Sequence, residues 1–219
     1  MGSAVNRSYG DTCGIARALD AVGERWALLV VRELLLGPKR FTDLRAGLPR
    51  IGPDMLAARL RELEHRGLIG QRRLPPPVAR TVYELTDRGA ELGPVLHALG
   101  RWGSGQALGS EPPPLSPDAA VVAMQTLFEP DPGARTGVVA LWLDGREFEL
   151  RSQPDRLVAA AAAGTAAARA AADATIETEP ATLAAILWHG LGIDHAVADG
   201  RLRIGGDERL ARSLLTRYG

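Results

Sequence analysis

Apolar residues recur at helical intervals twice between Lys39 and Ile69. Phe41, Leu44 and Leu48 fall at i, i+3 and i+7, which predicts a short helix with one apolar face. It stops at Leu48-Pro49, because a residue before proline is driven out of the α region. Gly52-Pro53 opens a second helix with proline in its first turn, where a missing N–H costs nothing, and Leu56, Leu60 and Leu63 form a stripe along one side. At about 100° per residue, Asp54, Ala58, Arg61 and His65 point away from that stripe, with Met55, Arg59 and Glu62 on its flank. Gly67 closes the helix. Residues 68–74 and 80–86 then read as two short strands, joined by a proline-stiffened tip at 75–79. Helix, turn, helix and hairpin in this order predict a mainly α, winged helix-turn-helix domain, whose longer helix has small residues mid-face and arginines around them. Such a helix can enter a major groove and reach both base edges and phosphates.

The second half has a different rhythm. Residues 117–128 have helical spacing. Residues 137–143 and 146–151 flank Asp144-Gly145, a hairpin turn signal, and the second of these strands alternates strictly. Further along, residues 174–178 read as a strand, 180–188 as an amphipathic helix, 200–204 as a last strand and 208–218 as a closing helix, so an α+β domain is expected. Residues 157–172 are mostly alanine, which intrinsic preference would make helical. Between the halves, the Gly/Ser/Pro-rich stretch 104–116 reads as a linker, giving domains of 1–103 and 117–219.

Charge becomes informative only once the chain is divided. The whole carries 26 Lys+Arg and 26 Asp+Glu, but residues 1–103 hold 16 against 11 and residues 104–219 hold 10 against 15. The basic half carries the helix-turn-helix. An excess this modest implies a few placed arginines and a dimer rather than a broad positive field. Arg59 and Arg61 are the first candidates for DNA contacts, with Met55 and Ala58 at base edges and Thr42 and Asp54 beside them. Arg40, Arg50, Arg72, Arg73 and Arg80 are assigned to phosphates.

Two resemblances add to this reading. Cys13-Gly-Ile-Ala-Arg-Ala-Leu-Asp, Gly23-Glu-Arg-Trp-Ala-Leu-Leu, Arg32-Glu-Leu-Leu-Leu-Gly-Pro, Arg40-Phe-Thr-Asp-Leu, Leu56-Ala-Ala-Arg-Leu-Arg-Glu-Leu and Val82-Tyr-Glu-Leu-Thr-Asp-Arg-Gly resemble, in order, the HxlR-type winged helix-turn-helix regulators. That resemblance implies a homodimeric bacterial transcription factor acting on a double-stranded DNA operator. Its dimer would form through terminal helices near residues 12–22 and 87–102. Asp173-Ala-Thr-Ile-Glu-Thr-Glu-Pro-Ala-Thr-Leu-Ala-Ala-Ile-Leu-Trp-His-Gly, followed by Ala198-Asp-Gly-Arg-Leu-Arg-Ile-Gly-Gly-Asp, is similar to the sterol carrier protein-like fold. This one implies a strand near 157–162 in place of helix, and an apolar cavity for a small-molecule effector. Trp142, Phe148, Leu150, Ile186, Leu187 and Trp188 are the expected lining.

Other chemistry is sparse. Cys13 is the single cysteine, so no internal disulfide framework is possible. A packed thiol is expected; the alternative is a redox sensor, in which the positive end of a helix capped by Asp11 or Thr12 would lower the thiol pKa. The four histidines have no ligand spacing, so no metal is expected, and no cofactor fingerprint or catalytic arrangement points to an enzyme. Neither a membrane span nor a signal-peptide pattern is evident, so a cytoplasmic protein is expected.

Overall fold

The computed structural model describes residues 8–74, 80–105, 115–162 and 171–218. The expected wing tip at 75–79, most of the expected linker and residues 163–170 of the alanine run lie outside the described residues. The chain forms two compact units, Met1–Leu34 with Pro38–Gly93, and Leu35–Gly37 with Pro94–Gly219.

In the first unit, α1 (Gly14–Val22), α2 (Ala27–Leu34), α3 (Phe41–Gly47) and α4 (Pro53–His65) are followed by strands β1 (Ile69–Arg73) and β2 (Thr81–Leu85) and the short α5 (Asp87–Ala90). The periodic leucines are the core: Leu44, Leu56, Leu60 and Leu63 are fully buried, joined by Val30 and Val31 of α2. Pro53 takes the first turn of α4, and Gly67 leaves the helix at φ +67°, a conformation that favours glycine. The hairpin β1–β2 pairs antiparallel from Ile69–Leu85 to Arg73–Thr81. It is fastened to the helices by Lys39, whose backbone exchanges hydrogen bonds of 2.9 and 2.7 Å with Tyr83. Beneath that bridge the Lys39 ammonium is itself buried, 2.6 Å from the Glu33 carboxylate, which also takes Arg32 at 2.8 Å. Burial pushes the Glu33 pKa up, but Lys39 and Arg32 outweigh it and hold the carboxyl below its ordinary value.

Helix α6 (Leu92–Ser104) begins in the first unit and passes into the second from Pro94 onward. There it meets α7 (Pro117–Leu127): the Thr126 hydroxyl donates to Val122 O at 2.7 Å and lies 2.8 Å from His97 Nδ1, so the His97 ring carries its proton on that nitrogen. A Cβ at Gly100 would press on Thr126, so only glycine lets the helices come this close.

The sheet of the second unit has the order β5-β4-β3-β6-β7, built from β3 (Gly137–Leu143), β4 (Arg146–Ser152), β5 (Leu157–Ala161), β6 (Ala174–Thr178) and β7 (Leu202–Gly206). Only β3 and β6 run parallel. Asp144 and Gly145 both have positive φ, +47° and +74°, as the two-residue turn between twisted strands requires. The alanine stretch supplies β5, paired along β4, so cross-strand context overrides helix preference there. On one sheet face, Val139, Leu141, Leu143, Phe148, Leu150 and Ile176 meet α7, α8 (Pro180–Trp188), α9 (Ile193–Ala198) and α10 (Glu208–Leu215) in a single core. Arg217 closes it, 5 % exposed, donating to Glu129 O, Gln153 O and Pro154 O, with Phe128 under its guanidinium. No helix among the described residues is long and apolar enough to cross a membrane.

Candidate nucleic-acid interface

A groove-reading helix needs one face held by the core and the other uncovered. In α4, Leu56, Leu60 and Leu63 anchor the inner face, while Asp54, Met55, Ala58, Arg61 and His65 are exposed. Arg61 makes no ion pair or hydrogen bond among the described residues, so its guanidinium is available to a base edge or phosphate. Helix α3 contributes exposed Thr42 and Arg45, and Arg50 is exposed in the turn between them and α4.

Arg59 is not on this face. It is 7 % exposed, and its guanidinium reaches Glu62 one turn along and Glu24 ahead of α2, at 3.5 Å. The reason is angular: position 59 lies three residues past Leu56 and one before Leu60, close enough to the stripe to be drawn inward once Glu24 offers a partner. Arg59 thus fastens α4 to the preceding chain. Arg45, absent from the sequence-based set, shares the outer face of α3 with Thr42, three residues away, and that spacing was the signal for it.

The remaining cations divide between engaged and open. Arg40 grips Asp43 through Nε and Nη2 at 2.8 and 2.6 Å, while Asp43 also accepts from the Arg40 backbone N–H at 3.1 Å. That pairing caps α3, and the Asp43 carboxylate raises the Arg40 pKa. On the hairpin, Arg72 is paired with Glu84 at 2.9 Å, whereas Arg73 and Arg80 are exposed and make no ion pair among the described residues. The structure therefore assembles Thr42, Arg45, Arg50, Met55, Ala58 and Arg61 on the helix-turn-helix, with Arg73 at the end of β1 and Arg80 just ahead of β2.

Helices α1 and α6 each carry more than one uncovered apolar side chain. On α1, Ile15 is 73 % exposed and Leu19 follows four residues later; on α6, Val95, Leu99 and Trp102 are exposed at i, i+4 and i+7. Cys13, expected to be packed, is exposed at the N-cap of α1, its backbone N–H held by Asp11 Oδ1 at 2.9 Å. It precedes the first turn rather than lying inside it.

In the second unit, Phe148, Leu150, Ile186 and Leu187 belong to the core, with Trp188 packed against it. Trp142 does not join them. It pairs in register with Glu147 and Glu177, while its neighbours Leu141 and Leu143 face the core, so strand alternation places it on the opposite face of the sheet. Among the described residues no group of three or more His, Cys, Asp or Glu could hold a metal ion.

Residues 21–110 match the HxlR-like helix-turn-helix family. YvaP of Bacillus subtilis (strain 168), described as an uncharacterized HTH-type transcriptional regulator, is 37% identical over 86 residues, 39% of this chain and 80% of the relative. The HTH-type transcriptional regulator YodB of the same organism is 35% identical over 85 residues, 39% of this chain and 76% of the relative. The solved structure of the reduced form of YodB covers 43% of this chain and 93% of its own, with 33% identity and a TM-score of 0.39.

Proposed function

Because the chain belongs to the HxlR-like helix-turn-helix family of transcriptional regulators, we propose that it is a cytoplasmic homodimer that binds a pseudo-palindromic operator through α3 and α4. The observation that carries the reading is the outer face of α4, where Arg61 is open beside Met55 and Ala58. The dimer forms through α1 and α6, whose exposed Ile15, Leu19, Val95, Leu99 and Trp102 would otherwise face water. Two-fold symmetry then sets the recognition helices one or more helical turns apart on DNA. Arg50 and Arg45 lie on phosphates, with Arg73 and Arg80 toward the backbone beyond the major groove. Footprinting on the upstream region of the gene should show two related half-sites. Arg61→Ala should weaken operator binding by about 1 to 3 kcal/mol, and unchanged affinity would overturn the assignment of α4.

The second unit is the regulatory or dimer-supporting part. A mixed sheet with helices packed on one face supports the sterol carrier protein-like reading. An apolar effector of that kind would occupy space now filled by Phe148, Leu150, Ile186 and Leu187, so its entry requires displacement of core side chains.

A second reading is favoured by one observation, the exposure of Cys13. An accessible thiol beside a dimer-forming helix can couple oxidation to operator release. Cys13→Ser decides it: loss of a diamide response in the variant supports the thiol sensor, and an unchanged response or none in either protein removes it.

A further inference from the structure

Where β3 turns into β4, a cleft of about 370 Å³ opens between the Asp144-Gly145 turn, the amino end of α8 and the start of β7. Its volume lies within the range of small-molecule sites. Trp142, displaced from the core by strand alternation, forms one wall. The charged walls are unequally engaged. Arg203 lies 3.5 Å from Glu177, and Arg201 is bound to Asp199 at 2.8 Å, so both guanidiniums already have carboxylate partners. Asp144 and Glu179 also line the cleft, and neither makes an ion pair or side-chain hydrogen bond among the described residues.

A separate observation points to a ligand. Thr182 lines the same cleft and is only 7 % exposed, yet its hydroxyl makes no hydrogen bond among the described residues. The oxygen itself is not sealed in the protein but opens on the cleft, where it can donate and accept hydrogen bonds. The amino end of α8 does not suit an anion: Pro180 removes its first N–H donor, and Glu179, the N-cap residue whose side chain makes no cap hydrogen bond, adds a negative charge there. Two free carboxylates, an acceptor-capable hydroxyl and an indole wall match the opposite charge.

We propose that this cleft binds a small organic cation, an amine on an apolar or aromatic body. Its ammonium is held by Asp144 and Glu179 and donates to the Thr182 hydroxyl, while its body lies along Trp142. The proposal gives the second unit a polar, open ligand site in place of the core-filling apolar one. It rests on the regulatory reading of that unit only for its consequence at the operator.

Calorimetric titration of the full chain with phenethylamine, 3-phenylpropanoate and 2-phenylethanol tests the site directly. Phenethylamine is expected to saturate, with the other two at least tenfold weaker. Asp144→Asn with Glu179→Gln changes exposed groups only and should cost phenethylamine at least tenfold, and Thr182→Val should cost it several-fold. The proposal is overturned if phenethylamine shows no saturable binding, if the carboxylate or alcohol binds as well, or if the carboxamide variant binds phenethylamine as the parent does. Operator titration with and without phenethylamine then separates the two readings: binding with unchanged operator affinity leaves the cleft standing and removes only the regulatory role of the unit.

Discussion

Single side chains divide here into those that face a partner and those that hold the frame. Arg59 and Arg61 are two positions apart and carry the same charge, but one is buried between two carboxylates and the other is open. Arg59→Ala should therefore lower the melting temperature, because it leaves Glu62 with only Arg66, at 3.5 Å, and opens space beside α4, whereas Arg61→Ala should leave it unchanged. Thermal melts of the two variants check this. Sequence spacing put Arg59 on the flank of the leucine stripe and Arg61 opposite it, but not the burial of Arg59, since one of its two carboxylate partners is Glu24, 35 positions earlier. Glu33 and Lys39 offer a sharper case. Removing one partner, as in Glu33→Gln, leaves a buried ammonium with a weaker acceptor and should cost about 3 to 5 kcal/mol, while Glu33→Met with Lys39→Met should recover much of it. Chemical denaturation of the single and double variants measures the difference. The lowered Glu33 pKa also fixes a sign: the native state holds this carboxylate charged more firmly than the unfolded chain does. That stability is present above the ordinary value of about 4.5 and is lost as pH falls through the native pKa.

At the level of elements, the periodic patterns were the most legible. The leucines of α3 and α4, the proline that opens α4 and the Asp144-Gly145 turn each combine a pattern with a local steric reason, and each element formed where that reason placed it. Less legible were β5, where alanine's own preference points to helix, and the face of Trp142, which a one-residue change of register would reverse. The contact of α6 with α7 left no periodic trace, because it depends on one glycine and two hydrogen-bonding side chains from separate segments. That contact should respond to pH. Burial, with help from Arg101, lowers the His97 pKa below its ordinary 6.5, so the unfolded chain takes up a proton first as pH falls. Stability is complete above pH about 6.5 and declines as pH drops toward the native pKa. Melting temperatures between pH 7.5 and 5.5 should fall more steeply in the parent than in His97→Gln; parallel curves would show that the pair is not the sensitive element.

Across the whole molecule, the sequence has no net charge, yet its basic excess lies in residues 1–103. On the proposed dimer, DNA affinity would come from few contacts, doubled by symmetry. Leu99→Glu, a charge in the middle of the exposed α6 stripe, should give a monomer by sedimentation. The slope of log affinity against log salt scales as about 0.9 per phosphate contact, so it should fall to roughly half when one protomer binds alone. A variant that stays dimeric, or a monomer that keeps the full slope, would move the dimer interface elsewhere. The buried Lys39 adds a practical consequence. It is the chain's sole lysine, so an amine-reactive acylating reagent or a lysine-specific protease has one side-chain target, and that target is sealed under the hairpin while the first unit is closed. Its labelling rate is an intrinsic clock for the opening of that unit. Operator DNA, by favouring the closed state, should slow that clock without touching the residue.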